Sequence, residues 1–521
     1  MTNPDLPYPS QRAPICADNI VSTSQPLAAQ AGLQMLRQGG NAIDAALAAA
    51  ITLTIVEPSG NGIGSDAFAL VWDGASLKGI NGSGRAPAAW TPEYFAGHTR
   101  MPLFGWDAVT VPGAVSVWVA LSERYGRLPF EALFDAAIHY AEHGFMVGPK
   151  TAALWQHLPE SFSPNAAFVE HFLPAPLIGQ RVRRPDAART LRLIAASHGE
   201  AFYHGELAEQ MERAALTEGG ALRASDLAAH TAEWVEPVQQ RYRDVVVHEI
   251  PPNGQGLAAL IALGILEYFD PPALDSVDSV HVQIEAMKIA LRAAADHIAD
   301  PQSMRVSVGA LLDPTSLARA AATIGNEAST APALPLPTSP DTVYLATADS
   351  EGRMVSFIQS NYYGFGSGIV IPGTGIAMQN RGFGFSLAAG HPNQVAPGKR
   401  PFHTIIPGFI TRDDKALASF GVMGGPMQAQ GHVQMVTRLV DHEQNPQAAS
   451  DAPRWQVLDD GSVLLEPGFS RAVANALTAR GHQLQFETSE RLFGGAQLVV
   501  NTGDGFVAGS DHRKEGQAVG Y

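Results

Sequence analysis

Thr342 is the residue in this sequence whose setting most strongly suggests covalent chemistry. It follows Asp341 and opens a short alternating run, residues 342–348, that is typical of a β-strand. If the protein breaks its own Asp341–Thr342 peptide bond, the Thr342 hydroxyl becomes a nucleophile, and the freed α-amino group, with a pKa of about 7.7–8.0, becomes its general base. A threonine that merely begins a strand is the ordinary alternative, because β-branched residues are common there.

The segment before Thr342 has the composition of a tether. Residues 325–341 carry prolines at positions 332, 335, 337 and 340, with small residues between them. Such a stretch disfavours helix and central strand, so we expect it to be exposed and mobile. The chain is therefore predicted to divide into residues 1–341 and residues 342–521.

Different periodicities lie on the two sides of this tether. Helical spacing dominates residues 130–324, for example at 130–143, whereas residues 342–348 and 354–359 alternate as two strands around a turn. Nearer the N-terminus, residues 26–38 and 41–55 are predicted to be helices and residues 67–72 a strand. We expect one layered α/β structure with a helix-rich front half and a strand-rich back half.

A glycine-rich stretch, residues 59–66, joins the second helix to the first strand. A dinucleotide fingerprint needs the opposite order, strand before helix, so these glycines are poor evidence for NAD or ATP binding. They predict a tight, closely packed loop instead.

Composition excludes several classes of protein. The chain has 521 residues, 45% of them hydrophobic, and 34 Lys and Arg against 50 Asp and Glu give a formal charge of −16. An acidic protein is not expected to bind nucleic acid or an anionic membrane. A single cysteine rules out an intramolecular disulfide, and 17 histidines without a His-Glu-x-x-His motif predict no metal site and no cofactor.

The N-terminus lacks the features of an export signal. It has neither a basic nor an apolar region of the secretory type, and the apolar residues 42–56 contain Asp44 and are too few to span a membrane. A cytoplasmic location is the expectation that follows.

Five motifs occur in a recognisable order along nearly the whole chain. They are residues 39–46 with 56–64, residues 341–344 with 349–352, residues 397–401, the pair Gly424-Gly425, and residues 451–454. Together they are similar to the γ-glutamyltransferase family of N-terminal-nucleophile hydrolases. The resemblance implies an αββα sandwich of four layers, an α/β (α+β) fold. It also implies one catalytic domain made by a large subunit, 1–341, and a small subunit, 342–521, cut from one precursor.

The resemblance also assigns roles in catalysis. Thr342 matches the family's nucleophile, Ser360 matches a hydroxyl that hydrogen-bonds it, and the N–H groups of Gly424 and Gly425 match the oxyanion hole. Without the resemblance, Ser360 would be an ordinary strand serine and the two glycines a plain turn. The processed subunits are expected to form a heterodimer, with a dimer of heterodimers as a further option.

The chain departs from the family where that family recognises its γ-glutamyl donor. Ser83 occupies the position of an arginine that grips the donor carboxylate, and Gly384 occupies that of an aspartate that binds the donor ammonium. Other cationic and polar groups stand nearby, so the candidate substrate-binding residues are Arg85, Arg381, His403, Thr404, Asp66 and Asn361. A site that gains cations and loses an acid is expected to prefer a carboxylate-bearing acyl group without the amine.

Residues 359–368, 379–382, 401–404 and 510–521 resemble a divergent branch of the family, the glutaryl acylases and oxamate amidohydrolases. We therefore expect a self-processing amidohydrolase or acyltransferase that cleaves an amide of a small carboxylic acid, either a γ-glutamyl compound such as glutathione or a related acyl amide, with hydrolysis favoured over transfer. An oxamate or glutaryl amidohydrolase without γ-glutamyl activity is one alternative, and a non-catalytic relative that binds small acids is another. A Ser-His-Asp hydrolase is not favoured, because the chain has no Gly-x-Ser-x-Gly elbow.

Overall fold

The computed structural model describes residues 11–159, 161–329 and 340–521. Strands β1 to β21 cover, in chain order, Ile15–Ala17, Ile20–Thr23, Asp66–Trp72, Leu77–Asn81, Phe145–Met146, Arg181–Val182, Glu233–Val235, Val238–Tyr242, Val245–Glu249, Pro340–Ala348, Met354–Tyr363, Val370–Ile371, Ile376–Ala377, Gly408–Arg412, Lys415–Val422, Trp455–Val457, Val463–Leu465, Leu484–Phe486, Ala496–Asn501, Phe506–Ser510 and Gln517–Gly520.

Helices α1 to α17 cover Pro26–Arg37, Ala42–Val56, Ala114–Tyr125, Asp135–His143, Pro149–Gln156, Ala166–Phe172, Pro185–Ala196, Glu200–Tyr203, Glu206–Glu218, Ala224–Ala228, Gly256–Leu266, Val277–His297, Val308–Leu311, Pro314–Ala321, Met427–Val440, Pro446–Asp451 and Arg471–Ala479.

Two seven-stranded sheets pack face to face. Sheet one has the strand order β21-β2-β10-β11-β3-β4-β7, and sheet two has the order β1-β20-β19-β15-β14-β9-β8. Strands β10 and β11 pack on β15 of sheet two, while α1, α2 and α3 cover the outer face of sheet one and α11, α15 and α16 cover that of sheet two. The expected αββα sandwich of four layers is confirmed.

Strand β10 lies at the centre of sheet one and is buried on both faces. Val343 and Leu345 pack in the core beneath the helices, whereas Tyr344, Ala346 and Ala348 pack in the core between the two sheets. This alternation follows from the two-residue period of a strand. It places Thr342, two residues before Tyr344, on the face between the sheets.

The N-terminus of α2 is fixed to the turn that follows β10. Asn41 and Asp44 form a capping box at the start of this buried helix. One carboxylate oxygen of Asp349 accepts the N–H of Ala42 at 2.9 Å, and the other accepts the N–H of Glu351 at 3.0 Å. The helix predicted at 41–55 and the hairpin predicted at 349–353 are thus both present and joined to each other.

The helix predicted at residues 130–143 is divided. Phe130–Phe134 form a 3₁₀ turn, and α4 begins at Asp135. Phe130 and Leu133 are both buried, and residues three apart share a face in the tighter 3₁₀ repeat.

Part of the predicted tether is anchored. The His281 Nε2 donates to the carbonyl of Gly325 at 2.8 Å, and the N–H of Ser329 donates to Glu285 at 3.0 Å. Residues 325–329 are therefore held to the body of the protein, while residues 330–339 lie outside the described part of the chain. Among the helices that the structure describes, none combines the length and the apolar composition needed to cross a membrane.

Candidate active site

Thr342 lies at a bulge between the two central strands of sheet one. Asp341 pairs with Tyr362 and Val343 pairs with Gln359, so Ser360 and Asn361 together face the single residue Thr342. The Thr342 hydroxyl is 3.2 Å from the hydroxyl of Ser360, and both residues are fully buried. Bulges often redirect side chains beside active sites, and this one brings the predicted nucleophile and its predicted hydroxyl partner together.

The glycine-rich loop packs directly behind Thr342. A Cβ atom on Gly60 would lie 3.2 Å from the carbonyl carbon of Thr342, so a larger residue would crowd the peptide there. The side chain of Asn61 donates to the carbonyl of Leu53 at 3.0 Å and accepts from the side chain of Gln359 at 2.8 Å. The prediction of a tight, closely packed loop is confirmed.

Gly424 and Gly425 connect β15 to α15. Both have positive φ angles, +112° and +56°, which favour glycine. Their carbonyls accept hydrogen bonds from Met427 and Gln428, while neither N–H donates a hydrogen bond to any described residue. These two donors stand at the positive end of a 14-residue helix, a setting that favours negative charge.

Gln255 was not predicted from the sequence. Its side-chain amide donates to the carbonyl of Thr404 at 2.5 Å and to the carbonyl of Gly425 at 2.7 Å. It therefore holds the glycine turn against the segment that contains Thr404. No local pattern marks this residue, since both partners lie at least 149 positions away.

A cavity of about 460 Å³ is lined by Gln255 and Thr404, whereas Thr342, Ser360, Gly424 and Gly425 are not among its lining residues of known placement. Its polar end is formed by Arg381, Thr404, Gln255 and Tyr362, and Asp459 is the one acidic residue among the lining residues of known placement. The remaining wall is mostly apolar and includes Met101, Leu291, Ile298, Phe383, Phe385 and Phe402. Cavities of this size and composition hold small organic molecules.

Arg381 supplies the cavity with a buried positive charge. It is 2% exposed, its guanidinium lies 4.9 Å from the centre of the Tyr362 ring, and its Nη1 donates to the Thr404 hydroxyl at 2.8 Å. The Nε and Nη2 atoms have no hydrogen-bond partner among the described residues. Burial lowers the pKa of Arg381 to about 10, with Asp66 opposing the shift, so the side chain stays charged near neutrality and can bind a carboxylate.

Asp66 and His403 meet behind the cavity. The Asp66 carboxylate accepts the His403 Nε2–H at 3.1 Å, the Gly113 N–H at 3.0 Å and the Gly84 N–H at 3.2 Å. Burial raises the pKa of Asp66 to about 7, against the opposing effect of Arg381. Burial also holds the pKa of His403 well below its usual range, so its ring is neutral.

The structure does not place four predicted substrate-binding side chains on this cavity. Asp66 and His403 are occupied with each other, and the Asn361 amide oxygen accepts the Ser65 hydroxyl at 2.8 Å. Arg85 forms ion pairs with acidic residues elsewhere, at 2.9 Å from Glu233 and 3.7 Å from Asp300. Arg381 and Thr404 are the predicted binding residues that line it.

The sequence is similar to proteins of one family along nearly its whole length. The sequence profile described as Gamma-glutamyltranspeptidase matches residues 28–521. The glutathione hydrolase-like YwrD proenzyme of Bacillus subtilis is 35% identical, and the oxamate amidohydrolase proenzyme of Klebsiella pneumoniae is 36% identical, each over 95% of this chain and 97% of its own length.

A solved structure extends the similarity to the whole fold. Cephalosporin acylase from Bacillus halodurans is 48% identical and superposes with a TM-score of 0.95, covering 100% of this chain and 99% of its own. The chain therefore belongs to the gamma-glutamyltranspeptidase family and is an amide-cleaving enzyme with the N-terminal-nucleophile hydrolase fold.

Proposed function

We propose that this enzyme cuts its own chain between Asp341 and Thr342 and then hydrolyses amides of a small carboxylic acid through an ester on Thr342. The observation that carries the proposal is the buried Thr342 hydroxyl, 3.2 Å from that of Ser360, at a strand bulge. The relatives are named as proenzymes, which supports processing of a precursor.

Self-processing needs one acyl shift and one hydrolysis. The Thr342 oxygen attacks the carbonyl carbon of Asp341, the C–N bond breaks, and the hydroxyl proton passes to the departing Thr342 nitrogen. Water then cleaves the resulting ester, which leaves a carboxylate on Asp341 and restores the hydroxyl. The new α-amino group stands beside that hydroxyl and acts as its base.

Turnover repeats this chemistry on a substrate. The Thr342 oxygen attacks the amide carbonyl while its proton moves to the α-amino group, and the N–H groups of Gly424 and Gly425 stabilise the tetrahedral oxyanion. The leaving amine takes the proton as the C–N bond breaks. Water then loses a proton to the α-amino group and attacks the ester carbon. The bond to the Thr342 oxygen breaks, that oxygen takes the proton back from the α-amino group, and the acid is released.

The charges of the cavity favour an acyl group that carries a second carboxylate. The Nε and Nη2 atoms of Arg381 have no hydrogen-bond partner among the described residues. Arg100 is a second cation on the cavity, and Asp459 is the single acid among the lining residues of known placement. Glutaryl and oxalyl amides bring such a carboxylate without an amine. A γ-glutamyl donor such as glutathione is the second candidate, because Asp459 offers a partner for its ammonium.

The apolar wall favours a sizeable leaving amine. Leu291, Ile298 and Phe402 line the same cavity of about 460 Å³. An aromatic or other apolar amine would bury its surface against them, at about 25 cal/mol per Å².

Processing is tested by a denaturing gel with intact mass. The wild type should give two fragments split between residues 341 and 342, and Thr342→Ala should give one uncleaved chain. Thr347→Ala is the matched control, because Thr347 is an equally buried threonine of β10 whose hydroxyl bonds to Ala42. An uncleaved wild-type chain that still turns over an amide would contradict the mechanism.

Acyl preference is tested on the processed enzyme with three substrates. We expect faster hydrolysis of glutaryl-p-nitroanilide than of γ-glutamyl-p-nitroanilide, with oxamate as the smallest member of the carboxylate-bearing class. Faster γ-glutamyl turnover would instead support the second candidate and the pairing of its ammonium with Asp459.

A further inference from the structure

The buried Asp66–His403 pair lies close to the nucleophile but does not line the cavity. Asp66 is directly opposite Ser360 in the register of β3 and β11, and the Ser360 hydroxyl is 3.2 Å from that of Thr342. The His403 Nδ1 accepts the N–H of Ile405 at 3.3 Å, so in the neutral ring the proton sits on Nε2 and is donated to Asp66. The pair therefore ties the nucleophile end of sheet one to the segment that begins at His403.

The same segment holds the cation of the cavity. The hydroxyl of Thr404 accepts from Arg381 at 2.8 Å, and its carbonyl accepts from Gln255, which also donates to Gly425. A displacement of His403 would thus be transmitted to Arg381 through one hydrogen bond and to the glycine turn through two more. Asp66 is the only acceptor of the His403 Nε2–H among the described residues.

Asp66 and Arg381 also influence each other through charge. Burial raises the pKa of Asp66 and lowers that of Arg381, and the charge of each side chain opposes the shift of the other. The two do not form an ion pair, since no described carboxylate lies within 4.0 Å of the Arg381 guanidinium. The other titratable groups that act on Asp66 or His403 are Arg400 and Tyr203. A substrate carboxylate at Arg381 would be a second negative charge near a buried one, and like charges favour protonation.

We propose that Asp66 is a positioning residue, which holds His403 and so Arg381, and that the Asp66–His403 pair takes up a proton when a substrate carboxylate binds to Arg381. This inference rests on the proposed function, because it needs a carboxylate-bearing substrate. The bound carboxylate makes the ionised Asp66 less favourable, so the complex holds the proton more tightly than the free enzyme does.

The consequence is a pH-dependent affinity of defined sign. Burial already raises the pKa of Asp66 to about 7 in the free enzyme, and the bound carboxylate raises it further. Affinity for the carboxylate substrate should be constant below the pKa of Asp66 in the free enzyme. It should fall by up to ~tenfold per pH unit between that pKa and the pKa of Asp66 in the complex, and level off at higher pH. The KM of glutaryl-p-nitroanilide should rise with pH accordingly, whereas that of butyryl-p-nitroanilide, which has no distal carboxylate, should not.

Calorimetry measures the proton directly. Glutarate is titrated into the processed wild-type enzyme at roughly pH 7.5 in phosphate and in Tris, whose ionisation enthalpies differ. We expect an uptake of up to about three quarters of a proton for each glutarate bound, because about that fraction of Asp66 is ionised in the free enzyme at this pH. Binding without proton uptake would overturn this inference and leave the proposed function standing, whereas failure of glutarate to bind would overturn the carboxylate site itself.

Two variants locate the proton. Asp66→Asn keeps the shape of the side chain without its charge, and it should abolish both the uptake and the pH dependence of KM. Asp459→Asn is the matched control, because Asp459 is an acid on the same cavity, and it should keep both. The inference fails if Asp459→Asn abolishes the uptake while Asp66→Asn retains it. Should Asp66→Asn not fold, the wild-type uptake and its pH dependence still decide the matter.

Discussion

Replacement of Arg381 by glutamine is the most direct test of how this enzyme selects its acyl group. The guanidinium is 2% exposed, and two of its nitrogen atoms face no partner among the described residues. Hydrogen bonds that involve a charged group contribute about 1.5–3 kcal/mol each. Loss of two such bonds to a substrate carboxylate, partly offset by the glutamine amide, should cost about 3–4 kcal/mol, which is roughly 10²–10³-fold in kcat/KM.

The assay compares glutaryl-p-nitroanilide with butyryl-p-nitroanilide on wild type and Arg381→Gln. Only the kcat/KM for glutaryl-p-nitroanilide should fall by the full factor of roughly 10²–10³, because only this substrate brings a carboxylate to Arg381. Arg100→Gln is the matched control: Arg100 lines the same cavity but is exposed, and exposed charges contribute about 1 kcal/mol or less. An equal loss for both substrates would refute the assignment and point to a structural role for Arg381.

Three further variants test the site and the fold. Ser360→Ala should lower kcat by roughly fivefold with little change in KM, since one hydrogen bond to the nucleophile contributes about 1 kcal/mol; an unchanged kcat would remove Ser360 from the mechanism. Gly424→Ala should lower kcat by about 10²-fold or more, because its φ of +112° is strained for alanine and its N–H is a predicted oxyanion donor. Gly503→Ala, at φ +90° with open space around it, controls for strain alone and should leave kcat nearly intact. Asp349→Asn should lower the free energy of unfolding by about 1–2 kcal/mol, measured by urea denaturation, because its two oxygens hold the turn after β10 and the first N–H of α2; unchanged stability would contradict that role.

The parts of the fold that sequence reasoning recovered are those with a local cause. Asn41 and Asp44 cap α2 within four residues of each other, and the strand at β10 follows from a two-residue alternation. The split of 130–143 into a 3₁₀ turn and α4 was not predictable, because it depends on where Phe130 and Leu133 are buried. Periodicity indicates which face is apolar, but the packing partner decides how tightly the helix winds.

The candidate site divides in the same way. Ser360, Gly424 and Gly425 were predicted through motif order, whereas Gln255 carries no motif and enters the site only through contacts at least 149 positions away. Tyr362 also carries no motif, although its N–H donates to the hydroxyl of Ser360 two residues earlier. Tyr362 has a φ of +82° beside the bulge, a backbone feature that strand periodicity does not reveal.

The sequence by itself determined the family, the layered fold and the residue expected to break an amide, because the motif around Thr342 is contiguous and its chemistry is that of one residue. Only the tertiary structure decided what surrounds that residue. Asp66 and His403 are 337 positions apart, and both looked like substrate contacts until folding placed them against each other and left Arg381 facing the cavity. The energy of interaction between charges in a buried site depends on their distance and their desolvation. Neither quantity can be read from the sequence, because both are set by which residues fold together.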